Sequence, residues 1–450
     1  MKKGRELGPS PAIASVSTSS CRHHQINSCI DAAMDFGGVV CQTPSTIETP
    51  HNSAELSEAM LRAAAAKQRV VARGTAHSQG GQCLGGRARV VSTSHLRTIE
   101  AVDTDTATIT VGAGIHWREV ADRAMAVGLI PPVLTDNLQV TVGGTLAVGG
   151  IGPASFRCGL QVHHCAAVEA VLGNGQIRWF SRKHEPQHFT AILGGLGRLG
   201  IISRARLALR PCLRYLHTTQ ASYDSLGTLL HDARWLLRSP VPTHLSAIAL
   251  PFATPSAQGQ WRFVLSIGIE SDETTVLPRR PLVNSLACRT KVTTREHVDR
   301  YTQRIDRVFE SDRYKRNRAV AYPWVECFLP WDCAQTYLER IHAWFPDTRV
   351  LLWPLTQKVA WPSLAMPAAA DLLFVGILAR VERDQLPGAL VQLQAASKLS
   401  MTLGGKRYLS GWLGFNEDDW KTHYGPYWAE RQRHQNQLDP ARTLCELPMQ

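Results

Sequence analysis

No stretch of the chain approaches the ~18 uninterrupted apolar residues that a membrane-spanning helix needs, so no membrane partner is expected. Lys2, Lys3 and Arg5 stand near the start, but Ser, Thr, Cys and His follow them instead of an apolar run, and no secretory signal is expected. The eleven cysteines are odd in number and include no C-x-x-C pair. That pattern argues against a disulfide framework and reads as free thiols in a reducing compartment, hence a cytoplasmic location. Internal repeats and low-complexity linkers are also missing. Hydrophobic residues make up 44% and charged residues 19%, which argues against both wholesale disorder and a fibre. What remains is a globular chain of 450 residues, enough for two to three domains at about 150 each.

Lys and Arg outnumber Asp and Glu by 49 to 37, a net charge of +12. A basic chain can bind nucleic acid, an anionic surface or a phosphorylated cofactor. Here the excess is dispersed. Its densest stretch, Arg304 to Arg318, interleaves Asp306, Glu310 and Asp312, which reads as a solvated helix face. With no recognisable nucleic-acid motif, no nucleic-acid partner is expected, and a basic scaffold protein stands only as a distant reading.

Residues 1–33 show no core-forming periodicity and are expected to be a disordered tail. Asn52 with Glu55 resembles a capping box, ahead of Leu56, Met60, Leu61, Ala64 and Ala65 at helical spacing. Val70–Ala72 reads as a short buried strand and Thr106–Val111 as an alternating one. Trp117, Val120, Ala121 and Ala124 mark a helix face that Gly128 terminates. Val168–Leu172 and Gln176–Phe180 flank an Asn-Gly turn and predict a hairpin. Ile201–Leu209 alternates as a strand, and Pro211 closes it. A second region follows, with helices at Asp224–Arg238 and Val298–Phe309. Its strands are expected at Phe263–Ile269, Val325–Leu329, Val350–Trp353 and Leu372–Leu378. The fold class is α+β, since helices and strands mix without a regular βαβα order.

Gly195-Leu196-Gly197-Arg198-Leu199-Gly200 fits G-x-G-x-x-G literally. A dinucleotide fingerprint needs a helix after it and an acidic residue about 20 positions on. An alternating strand follows instead, and Gln220 stands near the acidic position, so a Rossmann site is rejected. Two other glycine loops could hold a cofactor. Arg73-Gly74-Thr75-Ala76-His77-Ser78-Gln79-Gly80-Gly81-Gln82 directly follows a strand, and Thr141-Val142-Gly143-Gly144-Thr145 is followed by Gly149-Gly150 and Gly152. Glycines let backbone N–H groups turn toward an anion, and Thr75 and Ser78 add hydroxyls. Either loop alone is more often a turn than a site. His163-His164-Cys165 is expected on a strand, where adjacent residues face opposite ways, so no metal is expected.

The order of these pieces carries more than any one of them. The first loop precedes Thr135-Asp136-Asn137-Leu138-Gln139-Val140-Thr141-Val142-Gly143-Gly144-Thr145-Leu146. Next comes Leu193-Gly194-Gly195-Leu196-Gly197-Arg198-Leu199-Gly200-Ile201-Ile202-Ser203-Arg204. Pro323-Trp324-Val325-Glu326-Cys327-Phe328-Leu329-Pro330, Lys406-Arg407-Tyr408-Leu409 and Leu438-Asp439-Pro440 lie further on. From about Asp35 to Leu444 the series resembles the cytokinin dehydrogenases, in the superfamily of FAD oxidases that includes vanillyl-alcohol oxidase.

The resemblance implies a two-domain PCMH-type FAD-binding fold with an α+β cap. Residues 34–211 would form the FAD-binding domain and 212–405 the substrate cap. The segment 406–450 would return to the FAD domain. It implies covalent FAD on His77, with Gly74, Thr75, Ala76, Ser78, Gln82, Thr141, Ala147, Ile151, Ile202 and Tyr408 lining the cofactor. Asp136 matches the catalytic carboxylate; on residues alone the favoured reading is a turn carboxylate capping its own backbone. Trp324 would wall an N6-substituted adenine substrate, or else be a core tryptophan. Glu326 would line the same pocket where the family has Asn. Electrons would pass to a quinone or oxygen.

The sequence departs from the family at several places. Thr75 and Ala76 replace Arg and Gly, and Ala76 resists a positive φ, so the loop path is expected to differ. The tail reads Cys445-Glu446-Leu447-Pro448 where the family has a Ser-Pro-Gly-Gln stretch that reaches the flavin. Cys158 falls where the family has His and is not expected to bind flavin. These departures leave open a same-fold FAD oxidase with a different amine or alcohol substrate.

Overall fold

In the computed structural model, which describes residues 31–252, 259–272, 280–306 and 319–448, three sheets carry the architecture. Thr46–Glu48, Arg89–Ser92 and Val70–Arg73 form a parallel sheet, in that order. Thr108–Gly112, Ile201–Ala208, Cys165–Val171 and Ile177–Ser181 form an antiparallel one. The expected hairpin closes that sheet, with Gly175 at φ +81° in its turn. The third sheet has eight antiparallel strands. Their order is Thr290–His297, Tyr215–Tyr223, Trp261–Ser271, His244–Pro251, Val350–Thr356, Asp371–Ile377, Val325–Pro330 and Lys406–Arg407.

The helix Ser53–Ala65 starts where the capping box places it. Asn52 accepts from the Glu55 amide at 2.9 Å, and Glu55 accepts from the His51 amide at 2.9 Å. Leu56, Ala59, Met60 and Ala63 face the core, whereas Leu61 is half exposed. Ile201–Ala208 follows the third glycine cluster directly and is a strand.

Alternation with a period of two decides which side of the large sheet each residue serves. Val325, Cys327 and Leu329 pack under the helices Leu226–Arg238, Ala334–Trp344 and Leu386–Thr402, whereas Phe328 packs into the core of the two small sheets. Leu373, Val375 and Ile377 face the helices, while Leu372 and Phe374 face that same core. The large sheet is therefore buried on both faces, and one face covers the small sheets. Helices Glu417–Tyr424 and Tyr427–Leu438 follow it, and the chain then returns to the parallel sheet. There Leu444 bridges Val70, and Cys445 N–H donates to Val70 O at 2.9 Å.

Several expectations change. The tail over residues 1–30 lies outside the described residues, but Asp31–Ala33 forms a 3₁₀ turn with Ala32 buried. The helix expected at Val298–Phe309 spans Val298–Thr302; residues 307–318 lie outside the described set. His163 and His164 sit on a 3₁₀ turn, not a strand. Both rings are engaged locally. His163 Nδ1 accepts from the Leu160 amide at 2.9 Å, and His164 Nε2 lies 2.7 Å from Cys158 O. Among the described residues no group of three or more His, Cys, Asp or Glu is arranged for a metal. The nine described cysteines are all free. No described helix is long and apolar enough to cross a membrane.

Candidate functional site

Strand Val70–Arg73 ends against a cavity, and the first glycine loop forms its lip. The cavity holds about 930 Å³ of atom-free space, counting its open mouth. Gly74, Thr75, Ala76, His77, Ser78 and Gln82 line it from the first loop, Thr141 and Ala147 from the second, and Ile202 from the third. These nine come together around one cavity. Ile151 and Tyr408 lie behind the lining. Ile151 is buried in the core, and Tyr408 packs between Phe328 and Phe374 with its hydroxyl accepting from Gly150 N–H at 3.2 Å. Leu409 and Ser410 reach the cavity instead.

The first two loops lie hard against each other. A Cβ on Gly74 would come within 2.3 Å of Thr141 Oγ1, so no larger residue fits there. Ala76 does take the left-handed conformation, at φ +56°. Two hydrogen bonds, at Ala76 and just after it, hold this path. Ala76 O accepts from Phe36 N–H at 2.8 Å, and Ser78 O accepts from Gly37 N–H at 3.1 Å. An alanine there carries about 1–2 kcal/mol of strain. Ala76→Gly relieves it but adds unfolded-state freedom worth about 0.4–1 kcal/mol. Urea denaturation should therefore show this variant as stable as the parent or up to about 1.6 kcal/mol more stable. Ala76→Val should lose stability.

A buried carboxylate that sequence reading missed fixes the loop from below. Asp35 accepts from Ser78 Oγ at 2.9 Å, Gly81 N–H at 2.7 Å and Gly38 N–H at 3.2 Å. Burial pushes its pKa up to about 6, against the pull of those bonds and of Arg73. Gln82 then ties the loop to the closing segment, donating to Leu409 O at 2.9 Å and Gly411 O at 2.6 Å.

The Phe36 ring lies 4.5 Å from His77, 4.9 Å from Tyr322 and 5.2 Å from Trp324, and His77 is 6.0 Å from Trp324. Asn137 Nδ2 is 3.4 Å from His77 Nε2, which brings the Thr135–Asn137 loop to the same place. Asp136 in that loop makes an ion pair with Arg304. Arg304 stacks over Tyr301 at 3.9 Å. Arg304, the first residue of the densest basic stretch, is exposed, and its side chain reaches across to the Thr135–Asn137 loop. Its segment is fastened by Arg118, which donates to Thr302 Oγ1 at 3.0 Å, Thr302 O at 2.8 Å and Asp306 Oδ2 at 3.0 Å.

The lining fits an elongated ligand with flat apolar rings and an anionic middle. Ala72, Val140, Val148, Leu196 and Ile201 supply apolar walls. The backbone N–H groups of Thr75, Ala76 and Ser78 have no acceptor among the described residues. Successive loop N–H groups of this kind suit phosphate oxygens. FAD combines those features.

Two family models match the chain. One, described as an FAD binding domain, covers residues 44–181. The other, described as cytokinin dehydrogenase 1, FAD and cytokinin binding, covers 271–446. A protein named uncharacterized oxidoreductase ORF5 in fasciation locus, from Rhodococcoides fascians, is 27% identical over 431 residues, spanning 92% of this chain and 95% of its own length. Cytokinin dehydrogenase 8 of Oryza sativa subsp. japonica is 28% identical over 478 residues, 92% of this chain and 89% of its own. Cytokinin dehydrogenase 2 of Arabidopsis thaliana is 24% identical over 461 residues, 92% and 90%.

Proposed function

The chain belongs to the cytokinin dehydrogenase family of FAD-dependent oxidoreductases, and on that premise we propose that it cleaves the N6 side chain of isopentenyladenine-type cytokinins. The secondary amine is oxidised to an imine, and water hydrolyses the imine to adenine and an aldehyde. FAD, when bound, supplies the hydride acceptor, chemistry that no amino-acid side chain offers. Asp136 accepts the amine proton and stabilises the positive charge that develops on nitrogen. His77 is the covalent anchor of the cofactor. The N–H groups of the first loop and the apolar walls hold its remaining parts. Trp324 offers an aromatic face to the adenine ring, which is itself flat and apolar on its faces. In this reading residues 34–211 with 406–450 hold the cofactor and 212–405 cover it. Electrons leave to a quinone or to oxygen.

The proximity of Asn137 to His77 carries this reading. The residue next to the proposed base lies 3.4 Å from the proposed anchor, and Trp324 flanks that anchor. In this reading the Asp136 carboxylate, which pairs with Arg304, is the group that meets the substrate amine. Glu326 and the altered tail favour the second reading, a same-fold FAD oxidase acting on another amine or alcohol. Anaerobic mixing of the purified holoenzyme with isopentenyladenine decides between them. Rapid bleaching of the visible flavin band is the expected result. A flavin that stays oxidised would reject the cytokinin and move the search to other amines and alcohols.

A further inference from the structure

Glu326 lies on the strand Val325–Pro330 with the parity of Trp324 and Phe328, so it faces the small sheets rather than the helices. It is 8% exposed, and its Oε2 shares a hydrogen bond with Ser410 Oγ. Ser410 in turn lines the cavity beside His77 and Ser78. Among the described residues no cation forms an ion pair with the carboxylate. Arg407, the nearest, directs its guanidinium to Glu326 O at 2.9 Å, Trp412 O at 2.6 Å, Leu413 O at 3.4 Å and the Ser397 hydroxyl. Tyr408 from the closing segment is the other titratable group facing it, while Cys327, next in the strand, points to the helix side. On the neighbouring strand its register partner is Gly376, which brings no charge. Burial pushes the Glu326 carboxyl up to about 7, against the Ser410 bond and Arg407.

A serine hydroxyl has one proton to give. When Glu326 is ionised it is an acceptor only, and the Ser410 proton goes to it; Ser410 can then present only lone pairs to the cavity. When Glu326 is neutral its own O–H can donate to Ser410 Oγ, which frees the Ser410 proton to point at a ligand. The carboxyl thus sets the hydrogen-bond polarity of one spot on the cavity wall.

We propose that Glu326 and Ser410 form a specificity-determining pair in which neutral Glu326 turns Ser410 into a hydrogen-bond donor toward an acceptor atom of the substrate, such as an unprotonated ring nitrogen of a heteroaromatic base. The proton stays on the pair and no bond to substrate forms or breaks. The proposal rests on the reading of the cavity as a flavin and heteroaromatic-substrate site.

The test compares wild type, Glu326→Gln and Ser410→Ala holoenzymes from pH 6 to 9. Without substrate, the visible flavin spectrum of wild type should shift with one transition near neutrality that Glu326→Gln lacks. With isopentenyladenine, the wild-type KM should rise about tenfold across that transition, the loss of one hydrogen bond. Glu326→Gln should hold the low-pH KM throughout, and Ser410→Ala the high-pH KM throughout, with both changes in KM rather than kcat. A flavin transition common to wild type and Glu326→Gln, or one KM profile shared by all three proteins, would overturn the pair. A Glu326-dependent flavin transition in a protein that isopentenyladenine never bleaches would keep the titrating pair and reject the cytokinin instead.

Discussion

Asp136→Asn is expected to slow anaerobic flavin reduction by isopentenyladenine about a hundredfold or more, the range for a lost general base or a lost charge beside a developing cation. A hundredfold corresponds to about 2.7 kcal/mol on the barrier. The structural part of the change is smaller. Asp136 and Arg304 have side chains 26% and 27% exposed, and losing an ion pair so open to water costs at most about 1 kcal/mol of stability. The two effects separate by size. A carboxylate that merely held Arg304 in place would move the melting temperature and leave the reduction rate nearly untouched. Stopped-flow traces of the variant, taken with its thermal melt, therefore decide the role, and unchanged reduction kinetics would exclude Asp136 as the base.

The parts of this site that could be read from sequence are those whose chemistry is local. Glycine clusters mark close backbone approach wherever they occur, and the first two loops do meet, Gly74 against Thr141. Alternation in Ile201–Ala208 and Val325–Pro330 identifies strands, because pleating needs no knowledge of the partner strand. The order of the eight-stranded sheet is of another kind. Lys406–Arg407 pairs with Val325–Pro330 some eighty residues earlier, and nothing in either segment names the other. Asp35 was missed for the same reason: a lone acidic residue gains its meaning only from the amides of Gly38 and Gly81 that the fold brings to it. The Arg304–Asp136 ion pair is of the same kind, since it joins residues 168 positions apart and nothing in the charge pattern of either segment names the other. Ala76 shows the limit of propensity. The local cost of its positive φ is real, but hydrogen bonds to its own carbonyl and to that of Ser78 set the backbone path.

His77→Ala should convert a cofactor that survives denaturation into one that does not. Wild-type protein precipitated with acid is expected to give a yellow pellet, since a covalent bond to the histidine cannot be broken by unfolding. The Ala variant should give a colourless pellet and a yellow supernatant. A second readout follows from linkage. A ligand that cannot dissociate contributes the same stability whatever its free concentration. One that binds reversibly adds RT ln(1 + [L]/Kd), about 2.7 kcal/mol at a hundredfold excess over Kd. The melting temperature of wild type should therefore ignore added FAD, and that of the variant should climb with it. The substitution also removes a ring lying 4.5 Å from Phe36, 6.0 Å from Trp324 and within 3.4 Å of the Asn137 amide, so some loss of intrinsic stability is expected in both the presence and absence of FAD. Only the dependence on added FAD reports the bond. A yellow acid pellet from His77→Ala would refute the attachment site and turn attention to another nucleophile in the cavity wall, where Cys83 is the one thiol among the lining residues.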